Sequence, residues 1–498
     1  MENQFLNGLK QATNYTYTKN GAITHKSTLD SLYDLFALGG AYRNRSDEDV
    51  IVLFQEAFQR DPLNALKCLF YLRDVRGGQG ERRFFRVAIK NLAKTHPTVV
   101  RKNLELIPEY GRWDDLYALI NTPVENDVFK LFEKQLMLDM DCKTPSLLAK
   151  WLKSENASSV STRALGKLTR QKLHITAREY RKMLSKLRKR INVLERLMSL
   201  NQWEKIEFDK IPSKAGLIYK NAFAKRDILK ARYEAFAKDE NTTVNAGALY
   251  PYEVVKKALG NTSWWNNYDN SMSETDRAII EKYWNNLTDY FKGASFNGMA
   301  VVDTSGSMSG DPINVAISLG LYCADKATGP FHNHYISFSS KPQLIQIKGV
   351  DFVDKVNRIY KTNLCDNTDI EATFDLVLSV AQKNHLSQNE LPQNLIVISD
   401  MEFDRARHPF GYCYSKSIKT LMEDISQKWT YAGYRMPNLI FWNVNARHDN
   451  IPMKTQEGVT FVSGFSPVLF EQIMQGKTSY DLMFDKLQSD RYKPITLA

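Results

Sequence analysis

Cysteine is scarce: five thiols in 498 residues, Cys68, Cys142, Cys323, Cys365 and Cys413, with no CxxC pair among them. That spacing excludes a zinc knuckle and a disulfide framework, and it suits a chain whose thiols stay reduced. Long apolar runs are missing as well. Nothing approaches the roughly 18 residues that span a bilayer, and runs such as 299–302 and 395–398 have strand length. The opening MENQFLNGLK lacks the apolar core of a secretory signal. The expectation is a cytoplasmic protein with no membrane partner.

Acidic residues are scarce in one stretch only. The chain carries a net charge of +11. From residue 295 onward, 19 Lys/Arg meet 21 Asp/Glu, a net −2. Between 143 and 196, 15 bases meet 3 acids, a net +12. Nearly all the excess charge therefore sits in one block, which points to a polyanionic partner.

The patterning divides the chain in three. Residues 1–237 read as helical: SLYDLFALGG, then SDEDVIVLFQEAFQRD with Asp47 as a cap, then PLNALKCLFYLRDVRG with Pro62 in its first turn. ERRFFRVAIKNLAKTHP, TVVRKNLELIPEYG, RWDDLYALIN and DVFKLFEKQLMLDMD follow, joined by short Gly- or Pro-bearing turns. Successive antiparallel helix pairs fit a HEAT-like repeat. Residues 238–295 form a polar bridging segment that ends in a helix capped by Ser273 and Asp276. Residues 296–498 alternate strand and helix: MAVVD, NHYISFS, QLIQIKG, LIVISD, LIFWNVN and VTFVSG are the strands. Nearly all-apolar strands between helices predict an α/β doubly wound, mostly parallel sheet, whose ligand site lies beyond the carboxyl ends of its strands.

VVDTSGSMSG places Asp303, Ser305 and Ser307 on the loop leaving the first of these strands. Alternate residues of an extended loop point to one side, so three oxygens converge. CDNTDIEATF adds the Thr368 hydroxyl, and LIVISDMEF puts Asp400 at a strand's carboxyl edge. Hydroxyls and carboxylates suit a hard cation, Mg²⁺ above all. A serine-hydrolase reading fails, because Asp303 replaces the glycine of a GxSxG elbow and no His–acid pair stands ready to activate Ser305. A two-metal nuclease wants clustered carboxylates, whereas this set is rich in hydroxyls.

The basic block contains ITAREYRKMLSKLRKRINVLERL, read as one helix capped by Thr176. Tyr180, Leu184, Leu187, Ile191, Leu194 and Leu197 form its buried stripe. That leaves Arg178, Arg181, Lys182, Lys186, Lys189 and Arg190 on exposed faces, with Arg163, Lys167, Arg170 and Lys172 just upstream. Such groups neutralise phosphates, and His174 and Tyr180 are candidate stacking partners. With almost no acid to offset them, an RNA partner is expected. LRDVRGGQGERRFF has the glycines of a phosphate cradle but lacks GK[ST] and a preceding strand, so an interhelical turn is expected. Trp113, in YGRWDDL, reads as core.

The DxSxS loop with its downstream Thr and Asp resembles the metal-ion-dependent adhesion site (MIDAS) of a von Willebrand A domain. That resemblance implies direct ligation by Ser305, Ser307 and Thr368, with Asp303 and Asp400 holding coordinated waters and Asp369 behind them. A helical domain bearing LRDVRGGQGER and IPEYGRWDDL, joined to such a domain, resembles the Ro autoantigen class of TROVE-plus-von-Willebrand-A proteins. REYRKMLSKLRKRINVLERLMSLNQWEKIEFDKIPSKA is similar to an uncharacterised Ro-like family of plants, bacteria and phages. The resemblance implies a ring of helical repeats closed by the von Willebrand A domain. It also implies a ribonucleoprotein that binds structured or misfolded small noncoding RNA on a basic outer surface and has no catalytic activity. The alternative expectation is a metal-dependent interaction module that captures an acidic residue of a protein partner.

Overall fold

The computed structural model describes residues 4–191, 194–260, 272–339, 341–362, 368–405 and 419–497. Cys365, Cys413 and the 261–271 part of the expected bridging segment lie outside them. The chain forms two compact units, and their limits differ from the three-way division of the sequence. One unit is α/β and comprises 1–68 and 246–489; the other is helical and comprises 69–245 and 490–498. Among the described residues no helix is long and apolar enough to cross a membrane.

In the α/β unit a short hairpin, β1 (Tyr15–Tyr17) and β2 (Ile23–His25), precedes the main sheet. That sheet has six strands: β3 (Gly298–Asp303), β4 (His334–Phe338), β5 (Leu344–Gln346), β6 (Asn394–Ser399), β7 (Asn438–Asn443) and β8 (Val459–Ser463). Their order is β5-β4-β3-β6-β7-β8, parallel throughout except for the antiparallel β4–β5 edge. All six are the strands the apolar runs predict. From β3 the chain goes first to β4 on one side and only later to β6 on the other, so the strand order reverses between β3 and β6. A doubly wound sheet opens its ligand crevice at that reversal. Every residue of β3 is buried, because helices cover both faces. The helix Asp311–Lys326 packs so closely on β3 that a Cβ at Gly320 would lie 2.5 Å from a Val302 methyl.

The first 60 residues belong to this α/β unit and not to the helical array expected of them. In the helix Ser31–Leu38, every residue after Ser31 is buried. The Tyr33 hydroxyl meets the backbone of Phe461 on β8 at 3.2 Å, and the Gly40 amide donates to Ser463 Oγ at 3.1 Å. A helix buried on every side needs cover on every side, which β8 and the following helix share. The next helix, Asp47–Arg60, is capped by Ser46, with Asp49 closing the box, and not by Asp47.

Asp34 lies on the buried helix and accepts the Thr28 amide at 2.8 Å. Burial pushes its carboxyl up to about 7. The native state thus holds a proton that the unfolded chain releases above pH 4, so stability falls as pH rises from about 4 to 7. Asp34→Asn keeps the acceptor and removes the charge. We expect it to flatten that slope and to raise stability above pH 7 by up to about 4 kcal/mol, measured by urea unfolding at pH 5 and pH 8.

In the helical unit the longer helices are Arg82–Thr95, Glu125–Asp141, Val160–Lys172, Ala177–Arg190, Ser213–Lys225 and Asp227–Lys238. The last residues of the chain pack here. Arg491 Nη2 donates to Asp74 Oδ1 at 2.7 Å, the Tyr492 hydroxyl reaches Asp74 Oδ2 at 3.0 Å, and the Tyr492 ring stacks on Tyr110. LRDVRGGQGER is an interhelical turn, as expected. Its amides at Gln79, Gly80 and Glu81 donate to the carbonyls of Tyr71, Asp74 and Leu72, and a Cβ at Gly78 would lie 1.9 Å from the Tyr71 carbonyl oxygen. Trp113 is half-buried and not core. The long helix expected over 177–197 is two elements, Ala177–Arg190 and Leu194–Ser199, and Ile191 and Leu197 are only half-buried.

Buried Arg73 donates from Nε to Asp115 Oδ2 at 2.8 Å, and both side chains are essentially inaccessible. Removing one partner strands the other's charge. We expect Asp115→Ala to destabilise the helical unit by about 3–5 kcal/mol, read as a lower urea midpoint.

Candidate cation site and basic helix face

At the crevice, Asp303 ends β3 and Asp400 follows β6, and both side chains are fully buried. Asp303 Oδ1 accepts the Ser305 amide at 2.9 Å, which folds the loop back over the strand end. Its Oδ2 accepts the Ser399 hydroxyl at 2.6 Å, across the β3–β6 ladder. The Ser305 and Ser307 hydroxyls lie 3.0 Å apart, and the Ser307 hydroxyl is near enough to Asp400 to favour its ionised form. Four of the five expected ligands thus converge.

Thr368 sits on the same rim but is otherwise engaged. Its hydroxyl lies 2.9 Å from the Glu402 carbonyl and 3.0 Å from Asp404 Oδ1, and it accepts from Asn20 Nδ2 at 2.9 Å. Among the described residues no hydrogen bond joins it to Ser305 or Ser307. Asp369 caps the helix Ile370–Lys383 by accepting the Ala372 amide at 2.8 Å.

The electrostatics favour a cation here. Burial, then the charge of Asp400, raises the Asp303 carboxyl above the usual carboxylate range, and burial also raises Asp400. Asp400 Oδ2 is a buried carboxylate oxygen with no hydrogen bond. The nearest cation is Arg447, whose Nε lies 3.4 Å from that oxygen while its Nη2 donates to the Ser307 carbonyl. Two buried carboxylates facing one half-exposed guanidinium leave a site that a hard cation would complete with carboxylate and hydroxyl oxygens. Among the described residues no group of three or more His, Cys, Asp and Glu gathers as a metal cluster, at this crevice or elsewhere.

Sequence reasoning missed four residues here: Asn20, Ser399, Glu402 and Arg447. Glu402 is buried and ties two segments to the rim, the hairpin through the Lys19 amide at 2.6 Å and the loop after β7 through His448 Nδ1 at 2.9 Å and Asn450 Nδ2 at 3.3 Å. Asn20 heads the β1–β2 hairpin. Asn20-Gly21 between YTYT and AITH is a hairpin signal, but nothing local says where the hairpin docks.

The second candidate site is the helix Ala177–Arg190. Thr176 and Glu179 cap it reciprocally, and Tyr180, Leu184 and Leu187 are its buried stripe. Arg178, Arg181, Lys182, Lys186 and Lys189 share the opposite, exposed side at spacings of three, four, seven and eight. Arg181 Nε bonds only to its own turn, at Ala177 O, and the other four have no partner among the described residues.

The other five predicted contacts differ. Arg170 pairs with Glu155 and Lys172 with Glu125, each at 2.8 Å. Arg190 donates to the carbonyls of Asp139 and Met140, and Arg163 to those of Ala157 and Ser158. Lys167 is exposed. Tyr180 is buried with its hydroxyl on Lys153 O, so it does not stack on bases, whereas His174 is exposed.

The chain belongs to the family described as "Domain of unknown function (DUF2828)", whose profile matches residues 18–158 and 144–295. A second profile, "Domain of unknown function (DUF7788)", matches residues 297–493. The break between the two falls where the sequence turns from helical to alternating. The uncharacterized protein L728 of Acanthamoeba polyphaga mimivirus is 31% identical over 93% of this chain and 85% of its own length. The crystal structure of the Deinococcus radiodurans Ro (RSR) protein aligns over 93% of this chain and 99% of its own, at 13% identity and a TM-score of 0.36. That score is too low to define a shared architecture.

Proposed function

We propose that this protein is a non-catalytic, Ro-like RNA-binding protein. It takes up structured or misfolded small RNA along the outward face of the Ala177–Arg190 helix and holds Mg²⁺, or another divalent cation, at the β3–β6 crevice in the manner of a von Willebrand A domain. The observation that carries the RNA reading is the row Arg178, Arg181, Lys182, Lys186 and Lys189, exposed and without an acidic partner. A solvated structural face normally alternates signs, as pairs at i,i+4 stabilise it. The one acid on this face, Glu179, is spent on capping Thr176, so the five bases are stabilised when phosphates supply the opposite sign.

The cation reading rests on the buried Asp400 oxygen that accepts no hydrogen bond and on the adjoining serine hydroxyls. When bound, the ion supplies positive charge that neutral hydroxyl ligands leave only partly offset, which suits capture of an outside carboxylate. Asp303 orients the loop through the Ser305 amide, Ser399 fixes Asp303, and Arg447 screens Asp400. That favours the second reading, in which an acidic residue of a protein partner docks at this rim. The two readings use different units and are compatible.

Ultraviolet crosslinking in the native cell, followed by sequencing of the bound nucleic acid and mapping of the crosslinked peptides, tests the RNA reading. Crosslinks to small noncoding RNA within residues 174–190 are expected. Crosslinks absent from that segment, with the protein abundant, would overturn it.

A further inference from the structure

A second group of cations lies in the helical unit, on residues that the helix-face reading does not use. Asp115 is fully buried and saturated: it accepts Arg73 Nε at 2.8 Å, Arg86 Nε at 2.7 Å and the Arg112 amide at 2.9 Å. Its neighbour Asp114 faces Arg86 Nη2 at 3.0 Å, Arg112 Nε at 3.2 Å and Lys153 Nζ at 3.7 Å. Arg82 precedes Arg86 by one helical turn on the same face of the helix Arg82–Thr95. It is exposed and has no hydrogen bond or ion pair among the described residues. Five cations, Arg73, Arg82, Arg86, Arg112 and Lys153, thus surround two carboxylates. Nearby acids are committed elsewhere: Glu81 caps its own helix by accepting the Arg83 and Phe84 amides, and Glu155 pairs with Arg170.

A structural ion-pair network needs no surplus of one sign, and here the surplus is three charges. The surplus groups are also the accessible ones. Arg73 is buried, while Arg82, Arg86, Arg112 and Lys153 reach solvent. Arg112 is held in place by the indole of Trp151, its guanidinium carbon 4.2 Å from the ring centroid, and Lys153 lies over the Tyr117 ring. Partial desolvation, and then the charges of Arg73 and Arg86, lowers the Arg82 guanidinium even though its tip reaches solvent; partial desolvation and Arg82 lower Arg112. The cluster is short of negative charge.

We infer that Arg82, Arg86, Arg112 and Lys153 form a binding site for a single phosphate group. Planar guanidinium forks match the oxygens of a tetrahedral oxyanion, and a lysine adds a point charge. A phosphodiester of an RNA strand, a terminal phosphate and free inorganic phosphate share that chemistry. The site deepens the RNA reading and rests on it only for the first two of these sources.

The full-length protein, freed of nucleic acid, is titrated with inorganic phosphate by calorimetry at constant ionic strength. In parallel it is titrated with fluorescent oligouridylates that carry or lack a 5′-phosphate. Arg82→Gln and Lys153→Gln are the test variants, checked for unchanged thermal unfolding, and Arg101→Gln is the control. Each test variant should weaken binding about tenfold or more, and the control should not.

Loss confined to the 5′-phosphorylated oligonucleotide assigns a terminal phosphate. Equal loss for both oligonucleotides assigns an internal phosphodiester, and loss for inorganic phosphate alone assigns a small anion. Affinities unchanged in both test variants for all three probes would overturn the site. Lys182→Glu with Lys186→Glu separates the two proposals: it should lower oligonucleotide affinity and leave inorganic phosphate binding untouched.

Discussion

Reversing four charges, Arg181→Glu, Lys182→Glu, Lys186→Glu and Lys189→Glu together, should weaken RNA binding at least about 100-fold near 0.1 M salt. The four side chains are exposed, and the helix that bears them is held by Tyr180, Leu184 and Leu187 on its other side and by the Thr176–Glu179 box at its start. None of those contacts is touched, so the variant should fold. Residues one turn apart stand about 6 Å from each other along a helix, close enough to meet successive phosphates of one strand. Each reversal removes an attraction and adds a repulsion, so the loss compounds along the row. Fluorescence anisotropy with a structured small RNA reads the effect. Affinity equal to wild type, with the fold intact by circular dichroism, would remove the helix face from the account.

Asp303→Ala should abolish divalent-cation binding while leaving RNA affinity within about twofold of wild type. Asp303 sets the loop through the Ser305 amide and shares the crevice with Asp400. Without it, the serine hydroxyls lose their orientation and the ion loses one of two nearby charges. Cation binding is read directly, by calorimetry with Mg²⁺ or by electron paramagnetic resonance with Mn²⁺ as the probe. A protein partner held at this rim should then be released equally by Asp303→Ala and by EDTA. Unchanged Mn²⁺ affinity in Asp303→Ala would place the ion elsewhere.

Much of the α/β unit was legible from local pattern. Six short runs between helical stretches became the six strands of the main sheet; the central ones are apolar because both their faces are covered, while β5 is an exposed antiparallel edge. The loop ligands were legible for the same reason: DxSxS and the residue after LIVIS sit where strands end, and the strand order brings β3 beside β6.

What local pattern does not carry is docking between distant segments. The helix Ser31–Leu38 reads like its helical neighbours, yet it packs on β8 more than 400 residues later. Asn20 reaches Thr368, and Arg491 reaches back to Asp74. Each depends on a surface assembled from remote sequence. Thr368 shows the same limit at the site: its place on the rim followed from the motif, but its partners Asn20, Glu402 and Asp404 did not. In the basic block, charge alone did not separate Arg170 and Lys172, which close ion pairs, from Lys182 and Lys186, which face solvent.

The most direct measurement is the affinity of nucleic-acid-free protein for a small structured RNA with a single-stranded end, followed as salt is raised from about 50 mM. Five phosphate contacts on the Ala177–Arg190 face give a slope of log affinity against log salt of about −3.5 for a single strand. Binding with that steepness, lost in the four-charge reversal, is the result expected. No binding to any RNA at the lowest salt, or binding that salt leaves unchanged, would contradict the account.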